Sequence, residues 1–300
     1  MLISVVIPVK NRENTIKRAV KSVFSQKGEF EIEIIIVDDG STDDTVLQIQ
    51  NLMLENKQIH LIQNKRSLGG AIARNIGAKK AIGEFIAFLD SDDEWLPEHL
   101  FTGLQFLQSE KAQGCFSAFN IYYKDKVKYR ELPKLKENED VTEYKFSRGG
   151  DMRTSTFIFK KEPFLDVLFD EKMAKHQDWD LAICFGDKYK LVANIERTVN
   201  IYTDVLNRMS NANNYKASDY FLNKHIHRFS PQSLFKFKLS LCFNTFKFEG
   251  GTDDFFEKLQ ELKQLAKRED VKIKEKKRYY ALSNSFNRTL LKVALKIKVL

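Results

Sequence analysis

Asp90-Ser91-Asp92-Asp93 places three carboxylates within four residues, straight after the uncharged run Phe85-Ile86-Ala87-Phe88-Leu89. Such a run reads as a strand buried on both faces. Carboxylates at its carboxyl end project into the crevice where open α/β sheets bind their ligands. Negative charge gathered there is costly unless a cation offsets it. An oxygen-only donor set selects a hard divalent ion, Mg²⁺ or Mn²⁺, of the kind that shares its coordination with substrate phosphates. The same residues could also be an acidic turn ahead of a helix, because aspartate is common in turns.

Asp38-Asp39-Gly40-Ser41 follows a second buried run, Ile32–Val37, and puts another acidic cluster on the same sheet edge. An acid there can accept a hydrogen bond from a ribose or from a base N–H. Asp43 and Asp44 are better explained by the start of a helix, where the macrodipole favours them. Gly69-Gly70 precedes Ala73-Arg74-Asn75-Ile76-Gly77. Paired glycines before a helix let backbone approach an anion, and Arg74 could pair with a phosphate. No GxGxxG follows the first strand and no Walker spacing occurs, so dinucleotide and P-loop sites lose support. In His176-Gln177-Asp178-Trp179-Asp180 the two acids are two residues apart and cannot share a helix face. One can therefore reach a cleft while the other caps or pairs elsewhere. His176 is a candidate third ion ligand, although a lone histidine is more often structural.

These side chains need a frame, and the pattern supplies one. Leu2–Val9, Ile32–Val37, Ile59–Gln63, Glu84–Leu89 and Phe116–Tyr123 read as strands. Helical patterns lie between them: Glu13–Gln26 with Ile16, Ala19, Val20 and Val23 on one face, a helix ending near Glu55, one from Gly69-Gly70 to Ala81, and one starting at Pro97. Alternating strands and helices imply an α/β fold with a mainly parallel sheet covered by helices. Lys124–Arg148 reads as a long charged loop, structure resumes at Thr156–Lys160, and Asp204–Ala217 reads as a flexible segment. Beyond Ser218 the chain is helical in pattern and rich in Phe and Lys. Phe235-Phe237-Leu239-Leu241-Phe243 fits a strand or a buried helix by period, and its neighbours favour helix.

The chain has 300 residues, 43% of them hydrophobic, and three scattered cysteines without CxxC spacing, which argues for reduced thiols and against a zinc site. The first strand meets Pro8 without a basic lead, so it is no signal peptide, and no stretch is apolar enough to span a membrane. These features imply a cytoplasmic protein. Residues 271–300 hold nine Lys or Arg against Glu275 alone, which accounts for +8, the whole net charge of the chain. Phe286, Leu290, Val293, Ile297 and Leu300 recur there at helical spacing, opposite Arg288, Lys292 and Lys296. A basic amphipathic helix suits an anionic membrane surface on the inner face of the cell membrane, or packing on the α/β unit. No nucleic-acid motif is present, and none is expected as a partner.

Taken in order, Val5-Val6-Ile7-Pro8-Val9-Lys10-Asn11-Arg12, Ile36–Asp43, Ala73–Gly77, Phe88–Asp93 and Gln177–Asp180 resemble an inverting family 2 glycosyltransferase of the GT-A fold, over about residues 1–205. The resemblance implies a Rossmann-like mixed sheet flanked by helices. Its nucleotide-sugar half would be about 1–123, its acceptor half about 124–205, and 206–300 a basic helical extension. It implies that Pro8, Val9, Asn11, Arg12 and Asp39 form the nucleobase pocket with Asp38 beside it, and that Arg74 lies near the base or diphosphate. Asp90 and Ser91 would lie on the ribose and sugar side, Asp92 would bind the metal with Asp90 and His176 as further candidates, and Asp178 would be the general base. The acid usual before that base is Gln177 here. The implied donor is a nucleotide-sugar, most often of UDP, the implied cofactor Mn²⁺ or Mg²⁺, and the implied acceptor a saccharide or lipid-linked saccharide of a bacterial surface polysaccharide. The rivals are a non-catalytic nucleotide-binding scaffold at the membrane and, further behind, a nucleotidyltransferase, which would need a Gly-rich basic loop where Pro8–Arg12 stands.

Overall fold

The computed structural model describes residues 1–203, 215–249, 253–268 and 271. In chain order the first half runs β1 (Leu2–Val9), α1 (Ile16–Phe24), β2 (Glu31–Asp38), α2 (Thr45–Glu55), β3 (Ile59–Gln63), α3 (Gly70–Lys80) and β4 (Phe85–Phe88). These four strands pair in parallel in the order β3-β2-β1-β4. Successive side chains of a strand face opposite layers, and both layers are filled here. Val6, Ile35, Val37 and Phe88 belong to the core on the α3 side, while Val5, Ile7, Ile34 and Ile36 pack with Ile16, Ala19, Val20 and Val23 of α1. A Cβ at Gly77 would come within 2.5 Å of Val6 Cγ1, so glycine is what lets α3 lie this close to the sheet.

The second half runs β5 (Glu94–Trp95), α4 (His99–Ser109), β6 (Gly114–Tyr123), β7 (Lys126–Arg130), α5 (Val141–Phe146), β8 (Phe157–Lys160), α6 (Lys161–Val167), α7 (Gln177–Lys188) and β9 (Leu191–Tyr202), and then α8 (Tyr215–His225), α9 (Pro231–Glu249) and α10 (Asp253–Ala266). Strand β8 enters antiparallel to β4, and β6 lies antiparallel to β8. β6 therefore points the same way as β1 and β4. β9 is parallel to β6, and β5 and β7 add antiparallel at the margins. The result is a mixed α/β sheet flanked by helices.

Three details depart from the sequence reading. The segment 124–148 is not one long loop: it holds β7 and α5. Lys124, at φ 52°, makes the turn between β6 and β7. Side chains 126–129 are all exposed, so no apolar alternation marks the strand. α5 is announced by Asp140, which accepts from Thr142 N and Glu143 N, and it buries Val141, Tyr144 and Phe146. The helix expected at Pro97 begins at His99, because Leu96 N is still donating to Thr198 O beside the short β5. Of the segment 204–217, residues 204–214 lie outside the described residues, and Tyr215–Ala217 open α8.

Phe235–Phe243 is helical, within α9. Phe221 and Leu222 of α8 and Phe237 and Leu241 of α9 share one core with Tyr144, Phe146 and Phe185. α9 and α10 add a smaller core of Phe235, Leu239, Cys242, Leu262 and Ala266. Apart from Val271, the basic tail lies outside the described residues. Among the described residues no helix is long and apolar enough to cross a membrane.

Candidate active site

A cleft of about 770 Å³ opens at the carboxyl ends of β1, β2 and β4. Its walls gather Pro8, Val9, Asn11, Arg12, Asp39, Arg74, Asp90, Ser91, Asp92, His176 and Asp178. Parallel pairing delivers eight of the first nine, since three strand ends emerge side by side, and Arg74 comes from α3. The start of α7 delivers the last two. Asp38 is set apart: it is buried outside the cleft wall, and its carboxylate accepts from Ser41 N at 3.2 and 3.4 Å.

On the β1–β2 side the turns are stitched together. Asn11, at φ 51°, accepts from Thr42 N at 2.8 Å, and Arg12 N donates to Thr45 Oγ1 at 2.7 Å. Asp39 accepts four hydrogen bonds, from Asn64 Nδ2, Ser67 Oγ, Leu68 N and Gly69 N, at 2.7–3.0 Å. Burial alone would raise its pKa; these donors, Leu68 N foremost, outweigh it and hold the carboxyl below its ordinary value. Asp39 thereby shapes the entry into α3, where Gly69 sits at φ 101°, a region that favours glycine.

The three acids after β4 divide their duties. Asp93 faces inward and accepts from Ser155 Oγ at 2.6 Å and Tyr202 N at 3.2 Å. Asp92 lines the cleft with a carboxylate oxygen 3.8 Å from Arg12 Nη2, and its carbonyl accepts from Arg18. Asp90 accepts from Arg74 Nη2 at 2.5 Å. The other arm of Arg74 donates to Gln177 Oε1 at 2.7 Å, and Gln177 Nε2 donates to Met173 O at 2.7 Å. Arg74 is thus a strut between the acidic loop and the helix that carries Asp178, with an edge still on the cleft. Gln177 fills the usual acid's place by offering an amide oxygen to that guanidinium. Asp90 and Asp92 are a hard, oxygen-only donor set on one wall, which fits Mg²⁺ or Mn²⁺.

Asp178 stands on the first turn of α7, partly open to the cleft. Burial raises its pKa; Arg153 and Lys145 pull the other way, and Asp151 adds to the rise. Asp151 takes the nearer share of those cations, with Lys145 Nζ at 2.6 Å and Arg153 Nη2 at 3.3 Å. Asp180 points to the other face of α7, to His225 Nε2 at 2.7 Å and Lys224 Nζ at 2.8 Å. The split expected from their spacing is realised. His176, at φ 65°, stacks on Trp179 with centroids 4.4 Å apart and shares a 2.9 Å hydrogen bond between its Nε2 and Ser218 Oγ. Burial, with Lys175, Lys145 and Arg153, pushes its pKa down to about 3, so it is a neutral ring binding α8 to α7. Among the described residues, three metal-type ligands converge at Asp180, Cys184 and His225, where the Lys224 ammonium already serves Asp180.

Arg153, Lys175 and Asn244 also line the cleft and were not read from the sequence. Arg153 arrives because β8 runs antiparallel to β4, which brings its leading end to the cleft edge. Asn244 arrives on α9, whose docking depends on contacts far apart in the chain. Neither residue sits in a local pattern that could have flagged it.

The family model for glycosyl transferase family 2 matches residues 4–168. The amylovoran biosynthesis glycosyltransferase AmsB of Erwinia amylovora is 33% identical over 201 residues, covering 63% of this chain and 66% of AmsB. The UDP-Glc:alpha-D-GlcNAc-diphosphoundecaprenol beta-1,3-glucosyltransferase WfaP of Escherichia coli is 40% identical over 125 residues, covering 42% of this chain and 47% of WfaP. The matches therefore span just under two-thirds and about half of these relatives. Among solved structures, S. aureus TarS 1–349 in complex with UDP-GlcNAc superposes with a TM-score of 0.58 at 20% identity, over 100% of this chain and 76% of that one. The mannosyltransferase PcManGT of Pyrobaculum calidifontis, in complex with GDP-Man and Mn²⁺, gives 0.53 at 14% identity, over 98% and 78%. At such identities the likeness speaks for the fold, which is that of these transferases.

Proposed function

Because the chain belongs to glycosyl transferase family 2, we propose that it moves a sugar from a UDP-sugar to a hydroxyl of a lipid-linked saccharide, with inversion, in the synthesis of a bacterial surface polysaccharide. The observation that carries this reading is one cleft holding both the acid pair Asp90 and Asp92 and, opposite, Asp178 with its raised pKa. Pro8, Val9, Asn11 and Arg12 face the nucleoside, and Asp39 shapes their far wall through the loop at Ser67–Gly69. Asp92, with Asp90, would hold the divalent cation. Such an ion, when bound, offsets charge building on the leaving diphosphate.

An acceptor hydroxyl becomes a competent nucleophile as its proton leaves. A carboxylate with an elevated pKa, within hydrogen-bond reach, suits that transfer. Asp178 takes the proton while the hydroxyl oxygen attacks the anomeric carbon opposite the diphosphate, which inverts the centre. Arg153 and Lys145 draw the carboxyl's pKa back down against the pull of burial. The names of WfaP and AmsB support a lipid-diphosphate saccharide acceptor and a polysaccharide product.

The test is the thermal shift of the purified protein with UDP, GDP or CMP, each with and without Mn²⁺, alongside sugar transfer to a polyprenyl-diphosphate saccharide. A ligand that binds the native state alone raises apparent stability in proportion to RT ln(1 + [L]/Kd). The expected result is a Mn²⁺-dependent UDP shift, with Asp178→Asn keeping that shift and losing transfer. Transfer retained in Asp178→Asn would remove Asp178 as the base. A shift with GDP and none with UDP would overturn the donor class.

A further inference from the structure

The β6–β7 hairpin leaves the sheet at the cleft edge, because β6 runs in the direction of β1 and β4. Tyr123–Arg130 contains Lys124, Lys126, Lys128 and Arg130 against the single acid Asp125, a local charge of +3. Arg130 turns back to Gly149 O and Asp151, whereas all three lysines are exposed. Tyr123, 53% exposed, shares the face of Lys126 and Lys128, while Val127 at 39% and Tyr129 at 63% alternate onto the other face of the ribbon. Lysines on an edge strand guard against pairing with other chains, but that purpose does not call for a valine and two exposed tyrosines, even with Arg197 5.0 Å over the Tyr129 ring and Lys124 5.8 Å over that of Tyr123. Tyrosine with lysine is the pairing suited to a lipid–water boundary. The ring settles at headgroup depth, and the ammonium meets anionic phosphate.

The root of the hairpin is tied to the catalytic loop. Tyr122 stacks on Tyr202 with centroids 5.0 Å apart, Arg18 lies 3.7 Å over the Tyr202 ring, and the same Arg18 donates to the carbonyl of Asp92. A surface that grips the hairpin therefore sets the height of the cleft above it.

We propose that the β6–β7 hairpin is a docking element that meets an anionic lipid bilayer edge-on, with Lys124, Lys126 and Lys128 meeting phosphate headgroups and Tyr123 and Tyr129 entering the interface from the two faces of the ribbon. It rests on the function proposed above only in giving the site a membrane-borne acceptor; the lipid contact stands on the hairpin alone.

The full chain, tail included, is sedimented with phosphatidylglycerol vesicles and with phosphatidylcholine vesicles. Parent protein is expected on the former only. A lysine near an anionic surface contributes about fivefold to partitioning, so Lys124→Gln, Lys126→Gln and Lys128→Gln together should weaken it roughly a hundredfold. Tyr123→Ser with Tyr129→Ser, a second variant at exposed positions, should weaken it as well. Both variants should keep the parent's melting temperature and nucleotide shift. Parent-like binding by the lysine variant would overturn the proposal and move the contact to residues 271–300, and no binding by the parent would overturn it outright. Loss of vesicle binding in a chain that shifts with no nucleotide would leave the hairpin assignment standing while the transferase reading falls.

Discussion

Removing Arg74 tests whether the acid pair and the helix that carries Asp178 are held in register by one side chain. Arg74 donates to Asp90 at 2.5 Å and to Gln177 at 2.7 Å, and it is 4% exposed. Hydrogen bonds to a charged group contribute about 1.5–3 kcal/mol each. Both would vanish in Arg74→Met, but the losses are unequal. The Asp90 side chain is 27% exposed and regains water, whereas Gln177 is 8% exposed and leaves an amide oxygen stranded. The net cost should therefore sit near 3 kcal/mol, at the low end of the range for breaking a buried pair. At roughly 2–4 °C per kcal/mol for a chain of this order, the melting temperature should fall by about 6–12 °C. A double-mutant cycle with Gln177→Leu isolates the shared bond, and urea melts of the four proteins should give a coupling of about 1.5–3 kcal/mol. Additivity within about 0.5 kcal/mol would refute the strut. In that case Arg74 would be left as a cleft-wall cation.

The raised pKa of Asp178 has consequences for rate and for stability. The rate of transfer should fall as pH drops through that elevated value, and Arg153→Ala, which removes a charge that lowers it, should move the limb to higher pH in a kcat/KM profile. Ionising a carboxyl whose pKa is raised on folding costs stability above its unfolded pKa. Asp178→Asn should thus melt no lower than the parent at pH 7 while losing transfer. Asp92→Ala should abolish the Mn²⁺ dependence of the nucleotide thermal shift, and a Mn²⁺ dependence equal to the parent's would place the ion elsewhere. Gly83→Ala should destabilise by about 1–3 kcal/mol in denaturant melts, because its Cβ would lie 2.8 Å from both Leu2 O and Ser4 N, backbone atoms that cannot swing aside.

The strands β1 to β4 and the acids at their ends were readable because the signal is local: an uncharged run, then aspartates. The division between Asp178 and Asp180 was readable for the same reason, since helical angle follows from spacing alone. The partners were not. Arg74 and Gln177 are 103 residues apart, and Arg153 reaches the site only through the antiparallel insertion of β8. Asp39, expected at a nucleobase, has its carboxylate engaged by four donors from residues 64–69, a commitment its own neighbours do not reveal. β7 escaped because period-two patterning reports burial, and a strand exposed on both faces has none to report.

Helix α7 is a wall with two tenants. One face presents Asp178 to the cleft, while the other is clamped by His225 and Lys224 of α8, with Ser218 of the same helix holding His176 at its start. The family pattern stops at residue 168, before this helix begins. A chain trimmed to that pattern would lose α7 outright, and one trimmed to the last strand at Tyr202 would keep α7 but strip the backing from the helix that carries Asp178. Phe146 and Trp179 would then lose their covering of Phe221 and Phe237. The helical segment beyond residue 214 is thus no appendage that evolution or a protein engineer can exchange at will. Any replacement must bring its own histidine, lysine and aromatic face, or Asp178 will have nothing to stand against.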